Sequence, residues 1–228
     1  MTYDLLIKNG RIVDGSGGPS FKGDVGIKDG KIVEIGKLSG PAARTVDAAG
    51  LAVAPGFIDN HCHYDAQVTW DPLCSFSCDH GATSVIFGNC SLSLAPVKKD
   101  RKQQRRLNEF LSYVEAIPME VLDTLEFTWE TFPEYLEEMD QHLGVNIGNL
   151  IGHTAVRHYV MGEDCQKRTA TDDEIGLETL MWGSDYPHPD GVWPESSKYI
   201  EEQFAGLPAD QIHKITCENA AKFYGLIN

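Results

Sequence analysis

The sequence has no apolar run approaching the ~20 residues a membrane span requires. Its opening, MTYDLLIKNG, lacks the basic start and long apolar stretch of an export signal. Both absences point to a cytoplasmic protein. Basic residues are scarce, with 19 Lys and Arg against 34 Asp and Glu and a formal charge of −15. That deficit argues against nucleic acid and anionic membrane surfaces as partners. Cys74 and Cys78 are spaced like half of a metal clip, but no second cysteine pair matches them. Gly15–Gly18 (GSGG) lacks the following Lys-Ser/Thr of a phosphate loop and reads as a hairpin connection. Six cysteines without an export signal read as reduced thiols, with metal ligation favoured over disulfides.

What is present falls into two grammars. Residues 1–50 read as small β-hairpins, YDLLIKNGRIVDG and DVGIKDGKIVEIG, each folded around Asn9-Gly10 or Asp29-Gly30. They would form one layer of a small sheet whose apolar face needs a cover. From residue 51 on, apolar runs alternate with helical stretches. LAVAPGFIDNHCH (51–63), GATSVIFGNC (81–90), VNIGNLIGH (145–153) and LETLMWGSDYPH (177–188) read as four buried strands. Residues 101–117, 131–143 and 196–207 read as helices. Strand–helix alternation with polar residues at strand C-termini suits an α/β parallel sheet or barrel, whose active site lies at that edge. An eight-stranded barrel takes roughly 250 residues, so the expected architecture is an incomplete (β/α) TIM-type barrel over 51–228 behind a small β segment.

The candidate chemistry sits at those strand ends. In GFIDNHCHYD, His61 and His63 share one face of an extended chain, while Cys62 points the other way. Two same-facing neutral imidazoles suit zinc or a similar divalent ion; a solvent-facing strand end is the plain alternative. Asp65 shares that face and either orients a ligand or begins the next loop. Cys90 closes FGNC and reads as a thiolate ligand, terminal or bridging, or else as a small buried hydrophobe. Asp185 in WGSDYPHPDG can ligate a metal and take a proton from water, or can cap a turn. His188 in the same turn can assist or be a loop residue. His153 and Arg157 can meet substrate, the latter holding a carboxylate in its planar fork; a helix-capping histidine and a surface arginine are equally consistent.

These residues resemble a known family. GFIDNHCHYDAQVTWDP, HGATSVIFGNCSLSLAPV and NLIGHTAVRHYVMGED resemble, in order, the N-terminal half of N-acyl-D-amino-acid deacylases (D-aminoacylases) of the metal-dependent amidohydrolase superfamily. The likeness covers about residues 1–175, and residues 1–50 resemble the small β-sandwich of those enzymes. It implies a (β/α) barrel that binds one or two Zn2+ ions, or another divalent metal, and hydrolyses the amide of an N-acyl-D-amino acid. On this likeness His61 and His63 match the strand-one ligand pair and Cys90 matches the cysteine ligand of the subgroup. His153 falls on a non-ligand position. The tail, LETLMWGSDYPHPDGVWPESSKYIEEQF and HKITCENAAKFYGL, resembles the C-terminal end of the amidohydrolase branch related to aminocarboxymuconate-semialdehyde decarboxylase. There Asp185 matches the metal-linked acid/base, and the change between the two likenesses falls near residue 175. Two further histidine ligands, in T-H-x-R and S-H-x-K patterns, are missing. Two alternatives follow: a fusion or remnant with an incomplete metal site, or a decarboxylase or hydrolase of carboxylated small molecules. Unclosed strand edges would favour a homo-oligomer.

Overall fold

The computed structural model describes residues 2–140, 142–171, 173–186 and 191–227. The chain divides into two compact units, Met1–Phe57 and Ile58–Asn228. No helix among the described residues is long and apolar enough to cross a membrane.

The first unit is a mixed sheet of β1 (Tyr3–Ile12), β2 (Phe21–Lys28), β3 (Lys31–Gly36), β4 (Ala42–Asp47) and β5 (Ala52–Val53). Its order is β3-β2-β1-β4, with β5 also on β1. The β1–β2 and β2–β3 pairs are antiparallel, whereas β4 and β5 run parallel to β1. Asp29-Gly30 makes the expected tight turn, both residues having positive φ (52° and 70°). GSGG lies in the connection from β1 to β2. Asn9-Gly10 is different. Strand β1 runs straight through it, and the register against β2 shifts between Ile7 and Gly10. The left-handed backbone of Asn9 (φ 63°) that suits a hairpin also suits a bulge. Asp24 fixes the bulge by accepting the Asn9 N–H at 2.8 Å, and it also accepts the Leu38 N–H at 2.9 Å. Those backbone donors, Asn9 first, hold its carboxyl below the usual range. Tyr3, Leu6 and Leu38 form the buried cluster of this unit.

In the second unit β6 (Phe57–Asp59), β7 (Ala82–Phe87) and β8 (Asn146–Asn149) form a sheet in that order, with β7 and β8 parallel. Around it lie α1 (Ser75–Asp79), α2 (Arg101–Glu115), α3 (Met119–Leu122), α4 (Phe132–Met139) and α5 (His153–Met161). Later come α6 (Ser196–Gln203) and α7 (Ala209–His213), which passes through a π-helical turn into α8 (Asn219–Phe223). The three helices expected at 101–117, 131–143 and 196–207 are thus α2, α4 and α6, each shorter at its C-terminal end. Thr131 and Glu134 form a reciprocal capping box at the start of α4, and Pro133 sits in its first turn. Val85 and Phe87 of β7, with Leu94, Leu111, Leu122, Trp129 and Tyr135, make a dry core. Its polar atoms are satisfied inside it: Trp129 Nε1 donates to the Leu94 carbonyl (2.8 Å) and Tyr135 Oη donates to the Asp65 carbonyl (2.6 Å).

The fourth expected strand does not form. Leu177–Thr179 is a 3-10 turn, and no strand follows among the described residues to Tyr186. The main chain there is satisfied by the C-terminal helical segment instead. Trp182 N–H donates to the Ile215 carbonyl (3.0 Å), and Asn219 Nδ2 donates to the carbonyls of Leu177 (2.9 Å) and Leu180 (2.8 Å). An apolar run alone does not separate a strand from an extended segment packed on a helix. Among the described residues this sheet therefore has three strands.

Candidate metal centre

Strand β6 ends at Asp59, two residues before the histidine pair, so His61 and His63 leave the sheet rather than sit in it. The extended alternation nevertheless persists. Cys62 N–H donates to the Ile86 carbonyl of β7 at 3.2 Å, and Cys62 Sγ reaches the same carbonyl at 3.2 Å. Burial pushes the Cys62 thiol up to about 12, which keeps it an inert, protonated packing group. With Cys62 turned toward β7, the two imidazoles share the other side, their ring centres 5.4 Å apart.

Cys90 reaches them from the turn after β7. Gly88 (φ 81°) starts the turn, Asn89 Nδ2 ties it to the Ile86 carbonyl (2.9 Å), and Cys90 and Ser91 both lie in the left-handed region (φ 51° and 66°). Two consecutive non-glycine residues with such backbones cost about 1–3 kcal/mol each and persist where surrounding structure forces them, commonly at functional sites. Asp185, at φ 58°, shares that feature. The strain holds Cys90 Sγ 3.1 Å from His61 Nε2, 3.5 Å from His63 Nε2 and 2.8 Å from Asp185 Oδ1. His61 Nε2 is 3.7 Å from Asp185 Oδ1.

Two imidazole nitrogens, one sulfur and one carboxylate oxygen therefore converge from three separate stretches of chain. Among the described residues, His61, His63 and Cys90 are the group whose ligand atoms all lie within 4.8 Å of one another. Donors about 2.0–2.3 Å from a tetrahedral zinc stand about 3.3–3.6 Å apart. The two histidine–cysteine separations lie near that spacing, so His61, His63 and Cys90 fit a divalent ion by donor type and by distance, while the 2.8 Å contact is a hydrogen bond from the Cys90 thiol to Asp185.

A fifth group was not foreseen. Glu115, the last residue of α2, brings Oε1 within 3.5 Å of His63 Nε2. Its sequence signal is weak: a glutamate ending a helix, with Pro118 three residues on. Asp65 is fully buried, accepts the Gly88 N–H (3.3 Å) at Oδ2, and has no hydrogen-bond partner for Oδ1 among the described residues. Burial raises its pKa to about 7. A carboxyl raised from about 4 in the unfolded chain gives stability that is complete below pH ~4 and lost as pH rises through the folded value. With chelator present, unfolding free energy is therefore expected to fall by about 1 kcal/mol per unit between pH 5 and 7. Asp65→Asn should flatten that slope in denaturant titrations; an unchanged slope would assign it to another group.

His153 starts α5, and partial desolvation, with Arg157 second, lowers its pKa. The Arg157 guanidinium donates to the main-chain carbonyls of Cys165 and Arg168, the latter at 3.1 Å. Cys74 is buried and Cys78 exposed, both as free thiols. His188 lies outside the described residues.

A family model described as Amidohydrolase family matches residues 44–188, and a second, described as Amidohydrolase, matches residues 164–226. The chain belongs to the amidohydrolase family. The two matches overlap over residues 164–188. Residues 1–56 match the model of the urease alpha-subunit N-terminal domain. This amidohydrolase is 36% identical over 174 residues to the N-acyl-D-aspartate deacylase of Alcaligenes xylosoxydans xylosoxydans, a match covering 75% of the chain and 32% of that enzyme. The D-aminoacylase of the same organism is 36% identical over 179 residues, covering 76% of the chain and 33% of the enzyme. Among solved structures, the N-acyl-D-glutamate deacylase of Bordetella bronchiseptica, complexed with zinc and a phosphonate inhibitor, aligns with a TM-score of 0.62 at 31% identity. That alignment covers 76% of the chain and 34% of the deacylase. The chain thus spans about a third of the length of the relatives it matches.

Proposed function

We propose that this amidohydrolase binds a divalent metal, zinc first among candidates, through His61, His63, Cys90 and Asp185, and hydrolyses the amide bond of N-acyl-D-amino acids. The observation that carries this reading is the convergence on Cys90 Sγ, which lies 3.1 Å from His61 Nε2, 3.5 Å from His63 Nε2 and 2.8 Å from Asp185 Oδ1, of side chains that follow β6 and β7 and of residue 185. The names of the relatives support the substrate class. The incomplete barrel remains the architecture that best accommodates the β6-β7-β8 sheet and its helices. When bound, the ion supplies Lewis acidity to a carbonyl oxygen and to water. His61 and His63 would each offer the lone pair of Nε2 to the ion, and Cys90 would offer its sulfur. Asp185 accepts a proton at Oδ1 and can return it to the leaving amine. The Arg157 guanidinium donates to two carbonyls through Nη2, and its remaining donors could meet a substrate carboxylate.

With zinc supplied, release of free amino acid from N-acetyl-D-glutamate and N-acetyl-D-aspartate tests the reading. Asp185→Asn is expected to lower kcat by about 10²–10⁴-fold while KM changes little. Metal-loaded wild type that releases nothing sinks the hydrolytic reading. A second reading, metal binding without turnover, is favoured by the three-stranded sheet and the missing T-H-x-R and S-H-x-K histidines. Stoichiometric metal with no hydrolysis would select it.

A further inference from the structure

We propose that Glu115 is a metal ligand of this centre, supplying through its carboxylate a donor beside His63. The proposal rests on the metal-binding part of the preceding reading but not on its substrate.

Geometry is the first argument. Glu115 Oε1 stands 3.5 Å from His63 Nε2, the same atom that lies 3.5 Å from Cys90 Sγ. A charge-assisted hydrogen bond between imidazolium and carboxylate closes to about 2.7–2.9 Å. Two donors that share an ion instead keep about 3.3–3.5 Å between them, set by metal–ligand distances near 2.0–2.2 Å. The observed 3.5 Å is longer than such a hydrogen bond and matches the spacing that two ligands of one ion would keep.

Placement is the second argument. Helix α2 is fixed along its length: Leu107 and Leu111 are buried, and Asn108 Nδ2 donates to the Leu122 carbonyl at 2.9 Å. Ala116 turns left-handed (φ 53°) and stops the helix immediately after Glu115, so the carboxylate is presented from a rigid end. His63 is nearly buried, its side chain 8% exposed, and that of Glu115 is 22% exposed. Charge here is partly withdrawn from water.

Electrostatics is the third. A carboxylate at a helix C-terminus lies against the negative end of the helix dipole. The last turn of α2, Ser112-Tyr113-Val114-Glu115, contains no basic residue. A divalent cation among His61, His63 and Cys90 offsets both that dipole and the carboxylate. Asp185 flanks His61 and Glu115 flanks His63, so each histidine has its own acidic companion about Cys90.

The test uses the whole chain, freed of metal by chelator and titrated anaerobically with Co2+, whose visible bands report coordination and whose sulfur charge-transfer band reports Cys90. Wild type should bind Co2+ with both features. Glu115→Gln should retain the sulfur band, bind Co2+ about 10- to 100-fold more weakly, and alter the intensity of the d–d bands. Unchanged affinity and spectrum overturn the proposal. So does weaker binding with an unchanged d–d spectrum, which would leave Glu115 merely orienting His63. Wild type that binds no Co2+ overturns this and the metal centre together, which separates the two failures. Should Glu115→Gln not fold, Glu115→Asp, one methylene shorter, carries the same comparison with the same criteria.

Discussion

Replacing both His61 and His63 by alanine is expected to leave a folded chain that retains less than about a tenth of the wild-type metal, with hydrolysis lost. Each imidazole is a nitrogen donor suited to first-row divalent metals, with its Nε2 close to Cys90 Sγ, and removing both leaves a sulfur and carboxylates that no longer enclose an ion. Such sites are rarely formed in the unfolded chain, so binding is coupled to folding. At a free metal concentration 100-fold above Kd, the wild type should gain about 2.7 kcal/mol of stability, or roughly 5–10 °C in Tm for a chain of this size. The double variant should melt at the same temperature with and without chelator. Cys62→Ser is the matched control. Its sulfur lies on the Ile86 carbonyl, away from the imidazoles, so metal content should stay at the wild-type level. Equal metal in wild type and double variant, measured by elemental analysis, would show that the ion is held elsewhere.

The i, i+2 spacing of His61 and His63 exposed one half of this centre in the sequence because extended chain has a fixed period. That logic survived even though β6 stops at Asp59, since Cys62 still hydrogen-bonds β7. Cys90 was legible only as the end of an apolar run; its direction depends on a left-handed backbone that FGNC does not announce. Asp185 was expected at a strand end and reaches the cluster from a segment held by the C-terminal helix instead. Glu115 was hidden because a helix-terminal glutamate is ordinary, and only the packing of α2 aims it. The β-unit shows the same limit on a smaller scale. Asp29-Gly30 and Asn9-Gly10 carry the same local preference for positive φ, yet one turns the chain and the other bulges a continuous strand. What decides between them is long-range: Asp24 captures the Asn9 amide, and β5 needs β1 to continue to Ile12. Local propensity states which backbone shapes a residue tolerates, and tertiary hydrogen bonds choose among them.

The same division separates two glycines that look alike in sequence, and their replacement should have the largest effect on folding. A Cβ on Gly88 would stand 1.9 Å from the Leu150 carbonyl oxygen and 2.8 Å from Asn149 Oδ1, on a backbone already at φ +81°. A left-handed alanine costs about 1–3 kcal/mol, and forcing apart well-packed main chain costs about 1–3 more. Gly152, the residue before α5, has an ordinary φ of −61°. Its Cβ would nonetheless meet the Leu92 carbonyl carbon at 2.4 Å and the Ser91 oxygen at 2.7 Å. Only the packing term applies there. The Gly152 clash falls on the main chain of Ser91 and Leu92 itself, whereas the Gly88 clash forces the chain just past β7, two residues before Cys90, away from Asn149 and Leu150. Gly88→Ala should therefore lose about 2–6 kcal/mol and most metal affinity, a large part of the 5–15 kcal/mol typical of a domain. Gly152→Ala should lose about half as much stability, with a smaller fall in affinity. Gly176, with no atom within 4 Å of an added Cβ, should accept alanine without change. If denaturant titration finds Gly88→Ala as stable as Gly176→Ala, the close approach of β7 and β8 at their C-terminal ends is not what holds Cys90 in place.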